Sequence, residues 1–171
     1  MLAASQADIR VLVQIFPSQE DTMANNVVSV LNDLIETSKD GEKGFRAAAE
    51  DAKDSELQTV FLRRAQDCAT SAADLQQLVA KYGGNPETGG SVAGAVHRGW
   101  MNLNAAASGR TDLAILEECE RGEDVAKARY RKALDDVPDD VRLVVQRQYD
   151  GVVRNHDQIR DLRDRYRAQD K

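Results

Sequence analysis

The stretch ILEECERGED, residues 115–124, carries five carboxylates within an evident helix: Glu117, Glu118, Glu120, Glu123 and Asp124. Leu116, Cys119, Ala126, Tyr130 and Leu134 set the phase of its buried stripe. On that phase Glu123 lies near the centre and Glu120 on the flank, while Glu117, Glu118 and Asp124 point away. The same reading of Leu34–Phe45 turns Ser38 and Glu42 inward and Glu36 and Asp40 outward. Arg64, Gln148 and Asn155 also fall on inner stripes, with His156 on the flank of the same face as Asn155. Carboxylates aimed at a core can ligate a hard cation, or they can be neutralised by a buried base that supplies hydrogen-bond donors.

The two chemistries need different partners. Dinuclear iron or manganese sites in helical bundles take one Glu from each of two helices and a Glu-x-x-His pair from each of the other two. Glu42 and Glu123 stand in the places of the single glutamates. With Glu120 and His156 they form the candidate metal set, for iron or manganese. No Glu-x-x-His occurs in the chain, which has two histidines. The corresponding inward places hold Arg64 and Gln148, and an arginine cannot ligate a metal. The favoured expectation is therefore a cofactor-free polar layer of Glu42, Arg64, Glu120, Glu123, Gln148 and Asn155. Counting residues from the two tight turns puts Glu42 opposite Arg64, and Glu123 opposite the stretch from Gln148 to Val152, all near mid-bundle.

Five helices must position these groups. Apolar residues at 3.6-residue spacing (Val27, Leu31, Leu34, Ile35, Phe45, Ala49) predict the first from about Asn25 to Lys53. Asp54 or Ser55 caps the second, which carries Leu57, Phe61, Cys68, Leu75, Leu78 and Tyr82 and ends at Gly83. Ser91 opens a shorter helix to about Ala107, with Val92, Val96, Trp100 and Leu103 inside. The fourth runs from Asp112 to about Asp136. The fifth starts at Pro138 and reaches about Arg167. Residues 1–24 lie outside this pattern: either Met23 is the natural start, or residues 1–22 form a tail or short added element. Residues 25–168 make one helical domain.

Composition narrows the function classes. The chain has 171 residues, 30% of them charged and 5% aromatic, as expected of long helices with solvated faces around an aliphatic core. A net charge of −6 argues against a nucleic-acid surface, and no apolar run is long enough to span a membrane. Cys68 and Cys119 are isolated, which reads as reduced core thiols in a cytoplasmic protein. His97 reads as a packing or capping residue. The glycines of GGNPETGG lack a Walker lysine and read as turn residues. No nucleophile–base–acid triad is legible.

Two segments echo each other: LIETSKDGEKGF (34–45) lies over ILEECERGEDVA (115–126), matching Glu36 with Glu117, Gly41 with Gly122 and Glu42 with Glu123. Two related antiparallel pairs joined by a long crossover describe an all-α, ferritin-like four-helix bundle with an additional helix in the connection. Three motifs point the same way: NVVSVLNDLIETSKDGEKGFRAAAED, GGNPETGGSVAGAVHRGWMNL and AILEECERGEDVAKARYRKAL. In these the sequence, over about residues 25–168, resembles a bacterial family of ferritin-like helical proteins of unknown function. The resemblance implies the bundle and supplies no activity. The function expected is a non-enzymatic structural or interaction module, with pairing of copies into a homo-oligomer along exposed helix faces. The alternative is a carboxylate-rich metal-binding protein or redox enzyme using iron or manganese.

Overall fold

A computed structural model describes residues 18–90 and 111–169. Among these residues it is all helical: α1 (Gln19–Asp51), α2 (Ser55–Lys81), α3 (Asp112–Asp136) and α4 (Asp139–Gln169). The expected Ser91–Ala107 helix, with His97, lies outside the described residues, as do residues 1–17.

α1 begins six residues before the expected start. Ser18 Oγ accepts the amide of Asp21, and the Asp21 carboxylate accepts the amide of Ser18, at 3.1 and 3.2 Å. This reciprocal cap satisfies two amides that a helix start would otherwise leave without partners. Met23 consequently stands in the second turn of α1, 66% exposed, and the polar stretch before Asn25 is helical although it contributes no core stripe. α2 starts on Asp54, whose carboxylate accepts the amides of Glu56 and Leu57. It ends in a Schellman turn, with Gly83 at φ 75° and bonds from Gly83 N to Ala80 O and from Gly84 N to Val79 O. Thr111 caps α3. The Arg142 guanidinium donates to Leu134 O and Val137 O, closing the other end of α3.

Contacts at the ends give the topology. The Asp112 carboxylate, at the start of α3, accepts the amides of Lys53 and Asp54 in the turn between α1 and α2. At the opposite end the Tyr82 hydroxyl bonds Asp140, while Tyr166 reaches back to Asp54 at 2.6 Å. α1 with α2, α3 with α4, α1 with α3, and α2 with α4 are thus antiparallel. The end of α2 and the start of α3 lie at opposite ends of a bundle about 40 Å long. α2 and α4 scarcely touch along their length. Residues 84–90 lie over α1: Asn32 bonds Asn85 O and the Glu87 amide.

The core divides into two apolar clusters. One, near the α1–α2 turn, gathers Phe45, Leu57, Phe61, Leu116, Ile159 and Leu162. The other, near the α3–α4 turn, gathers Leu31, Leu34, Ile35, Leu75, Val141 and Val145. Each fully buried large side chain contributes roughly 1.5–3 kcal/mol. Polar side chains meet between the two clusters.

Candidate functional site

Arg64 of α2 and Glu123 of α3 form the centre. The guanidinium Nε donates to Glu123 Oε1 at 2.5 Å and Nη2 to Oε2 at 3.3 Å. The two residues are 7% and 1% exposed. The Arg64 guanidinium also lies 5.7 Å from the centre of the Phe45 ring, a cation–π distance. Burial opposes the charge on Arg64. The anions beside it outweigh burial, and its pKa moves up. Glu123 is the partner that acts at neutral pH, because burial pushes the neighbouring Cys68 thiol up to about 12 and leaves it protonated.

About two turns away, a hydrogen-bonded chain joins all four helices. The Gln148 amide donates to Ser71 O at 3.3 Å, which leaves its carbonyl oxygen to accept from the Tyr130 hydroxyl at 3.0 Å. Tyr130 has then spent its proton, so Ser38 Oγ donates to Tyr130 at 3.0 Å. Ser38, Tyr130, Gln148 and Ser71 come from α1, α3, α4 and α2 in turn. Burial raises the pKa of Tyr130, so this phenol remains a donor over the physiological range. Between the chain and the ion pair is a cavity of about 20 Å³ lined by Ser38, Gly41, Arg64, Glu123 and Tyr130, among others. Such a space is enough for about one water.

The structure brings together Arg64, Glu123 and Gln148 of the expected layer and distributes the rest. Glu42, expected opposite Arg64, pairs along its own helix with Arg46 at 3.0 Å and Lys39 at 3.7 Å. The inward residue at that level is Gly41, where an added Cβ would meet Cys68 Sγ at 3.0 Å. A helix turns about 100° per residue, so Glu42 is carried off the stripe. Glu120 pairs closely with Arg163 on the α3–α4 seam. His156 is buried but sits on that same seam, with Nε2 3.0 Å from Asp124 and Nδ1 3.2 Å from Asp157. Asp157, bonded by the imidazole, is held below the ordinary carboxylate range. Asn155 is half-buried and lines the gap between α2 and α4.

Two carboxylates expected to point outward are buried. Asp40 lies beneath the segment that follows α2, where an added Cβ on Gly90 would overlap its carboxylate. Glu118 is 8% exposed and pairs closely with Arg121. For Asp40, helical phase describes the face the helix turns to its bundle partners and is silent about the chain lying over its outer face. Tyr130 is legible in the sequence as a core residue, and its hydroxyl is a polar group that the expected layer lacks. The available signal was that a buried phenol requires a partner, and Ser38 and Gln148 were already assigned inward.

The four metal candidates do not converge. Glu42, Glu120, Glu123 and His156 each engage a different partner, and among the described residues no three His, Cys, Asp or Glu side chains are grouped to hold an ion. The donor set at the centre, one carboxylate bonded through both oxygens to a guanidinium, does not fit a dinuclear site.

Among the described residues, fold and centre define an all-helical arrangement of four long helices with a buried ion pair. Residues 26–136 match the model of a family described as a domain of unknown function, DUF2383, and the chain belongs to that family. The match spans most of α1, then α2 and α3; α4, which supplies Gln148 and His156, follows it. No curated protein matches the chain.

Proposed function

We propose that this protein is a ferritin-like bundle in which a buried arginine–glutamate pair stands where relatives of that architecture hold cations. Its role is that of a non-enzymatic structural or interaction module. The observation that carries the reading is the two-bond pairing of Arg64 with Glu123 at the level of the bundle where a metal would sit. The antiparallel pairs, with the end of α2 and the start of α3 at opposite ends, support the ferritin-like topology. The ion pair and the four-helix hydrogen-bond chain fix helix register. They do so because a slip of any helix strands a buried polar group. Reduced buried cysteines suit a cytoplasmic setting, and pairing of copies along helix faces fits the same role.

The test is metal analysis of protein purified without chelators, with Glu123→Ala beside it. The expected result is iron, manganese and zinc well below stoichiometry in both. Stoichiometric metal that disappears in the variant would overturn the reading and favour an iron or manganese protein. Chemical denaturation supplies the second arm. Arg64→Ala is expected to lose roughly 3–5 kcal/mol because it leaves Glu123 buried without its counterion, whereas the double change Arg64→Met, Glu123→Leu recovers most of that loss.

A further inference from the structure

Where α2 and α4 stay apart they enclose a cleft of about 380 Å³, lined by residues from Arg64 to Asp74 of α2 and from Arg147 to Asn155 of α4. A smaller cavity continues it toward Arg63 and Gln158, sharing Arg64, Asp67 and Asn155. The volume lies within the range of small-molecule sites. Arg64 and Gln148 line its buried side, and both are held from behind: Arg64 by Glu123, and Gln148 by Tyr130 and Ser71.

Arg64 has donors to spare. Nε and Nη2 are engaged by Glu123, and Nη1 makes no hydrogen bond among the described residues. Nη1 is thus a spare donor pair on an almost fully buried guanidinium, and Arg64 lines the cleft. The half-buried amide of Asn155 likewise has no hydrogen bond among the described residues and lines the same cleft from α4. Arg63 and Arg154 form no ion pair among the described residues, and Arg147 has only Asp74 at 4.0 Å. Against these four guanidinia stand Asp67 and Asp74 in the opening and Glu123 behind it, which leaves a local positive excess in a chain of net charge −6.

We infer that this cleft binds a small molecule through an oxyanion group, carboxylate or phosphate, placed between Arg64 Nη1, the Asn155 amide and the guanidinium of Arg154. Forked guanidinium donors match both groups in geometry, and partial burial strengthens each charge-assisted bond. This site uses the outer edge of Arg64. It does not depend on the module role proposed for the bundle.

Titration of the full chain with inorganic phosphate and, separately, with malonate distinguishes the two sources of the oxyanion. Calorimetry gives the affinity, and the Arg64 Nε–H resonance gives the location. Saturable binding of at least one probe is expected, with a shift of that resonance. Asn155→Leu and Arg154→Gln each weaken it about tenfold or more, as loss of a bond to a charged group should. Arg165→Gln, an exposed arginine elsewhere on α4, leaves it unchanged. No saturable binding of either probe would overturn the inference. So would equal weakening by all three variants, which would mark unspecific charge attraction. An unshifted Arg64 resonance, or loss of the cleft to pairing of two copies on sedimentation, would overturn it as well.

Discussion

Asp54 does two things at once. One oxygen accepts the first amides of α2 and the other accepts the hydroxyl of Tyr166 from the end of α4. These bonds, the one from Tyr166 foremost, hold its carboxyl below the ordinary 3.8. The Tyr166 phenol is pushed up, by burial first and then by the same bond. A carboxyl whose pKa is lower folded than unfolded contributes stability that is complete above its unfolded value. That stability is lost as pH falls through the folded value. Tyr166→Phe should therefore raise the Asp54 pKa toward 3.8 in a carbon-detected carboxyl titration. The stability gap between variant and parent should be present at pH 7 and close in acid, below both values. An Asp54 titration that does not move in the variant would show that the amides of α2 alone set it.

At the scale of the element, the helices begin and end where side chains replace missing backbone partners. The first turn of α1 rests on the Ser18–Asp21 cap, since its residues before Val27 are exposed or half-exposed and bring no core burial. Ser18→Ala should cost about 1 kcal/mol and, more tellingly, should speed amide exchange from Asp21 to about Asn25 while leaving Leu31–Phe45 protected. Unchanged exchange in that turn would mean that the helix starts nearer Asn25. Gly84 shows the converse constraint at the end of α2. An added Cβ would stand 2.5 Å from a Val28 methyl, so the chain leaves α2 along a path only a side-chain-free residue can take.

For the molecule as a whole, the two cysteines report on opening. Cys68 and Cys119 belong to one apolar cluster, and burial pushes both thiols up, Cys68 to about 12. Alkylation proceeds through the thiolate. With iodoacetamide at pH 8 both should react slowly and at one common rate, that of global unfolding, because no helix can expose one without breaking the shared cluster. Faster labelling of Cys119 would show instead that α3 opens as a unit of its own.

The central ion pair is half legible in the sequence. Arg64, Glu123 and Gln148 fell on inner stripes, and counting from the turns put them near one level. Glu42 fell one residue off, since the phase read from its helix's apolar stripe put it inward, whereas Gly41 is the residue that faces inward. Asp40 was legible only as an outward carboxylate, because the chain that buries it comes from beyond α2. The sequence by itself determined the four described helices, their apolar stripes and the caps at Asp54 and Gly83, since periodicity and capping are local and span a turn or two. Tertiary structure alone decided which inward polar groups meet. A hydrogen bond requires atoms within about 3 Å, while helical phase places a side chain only within a broad sector of a helix whose neighbours are not yet known.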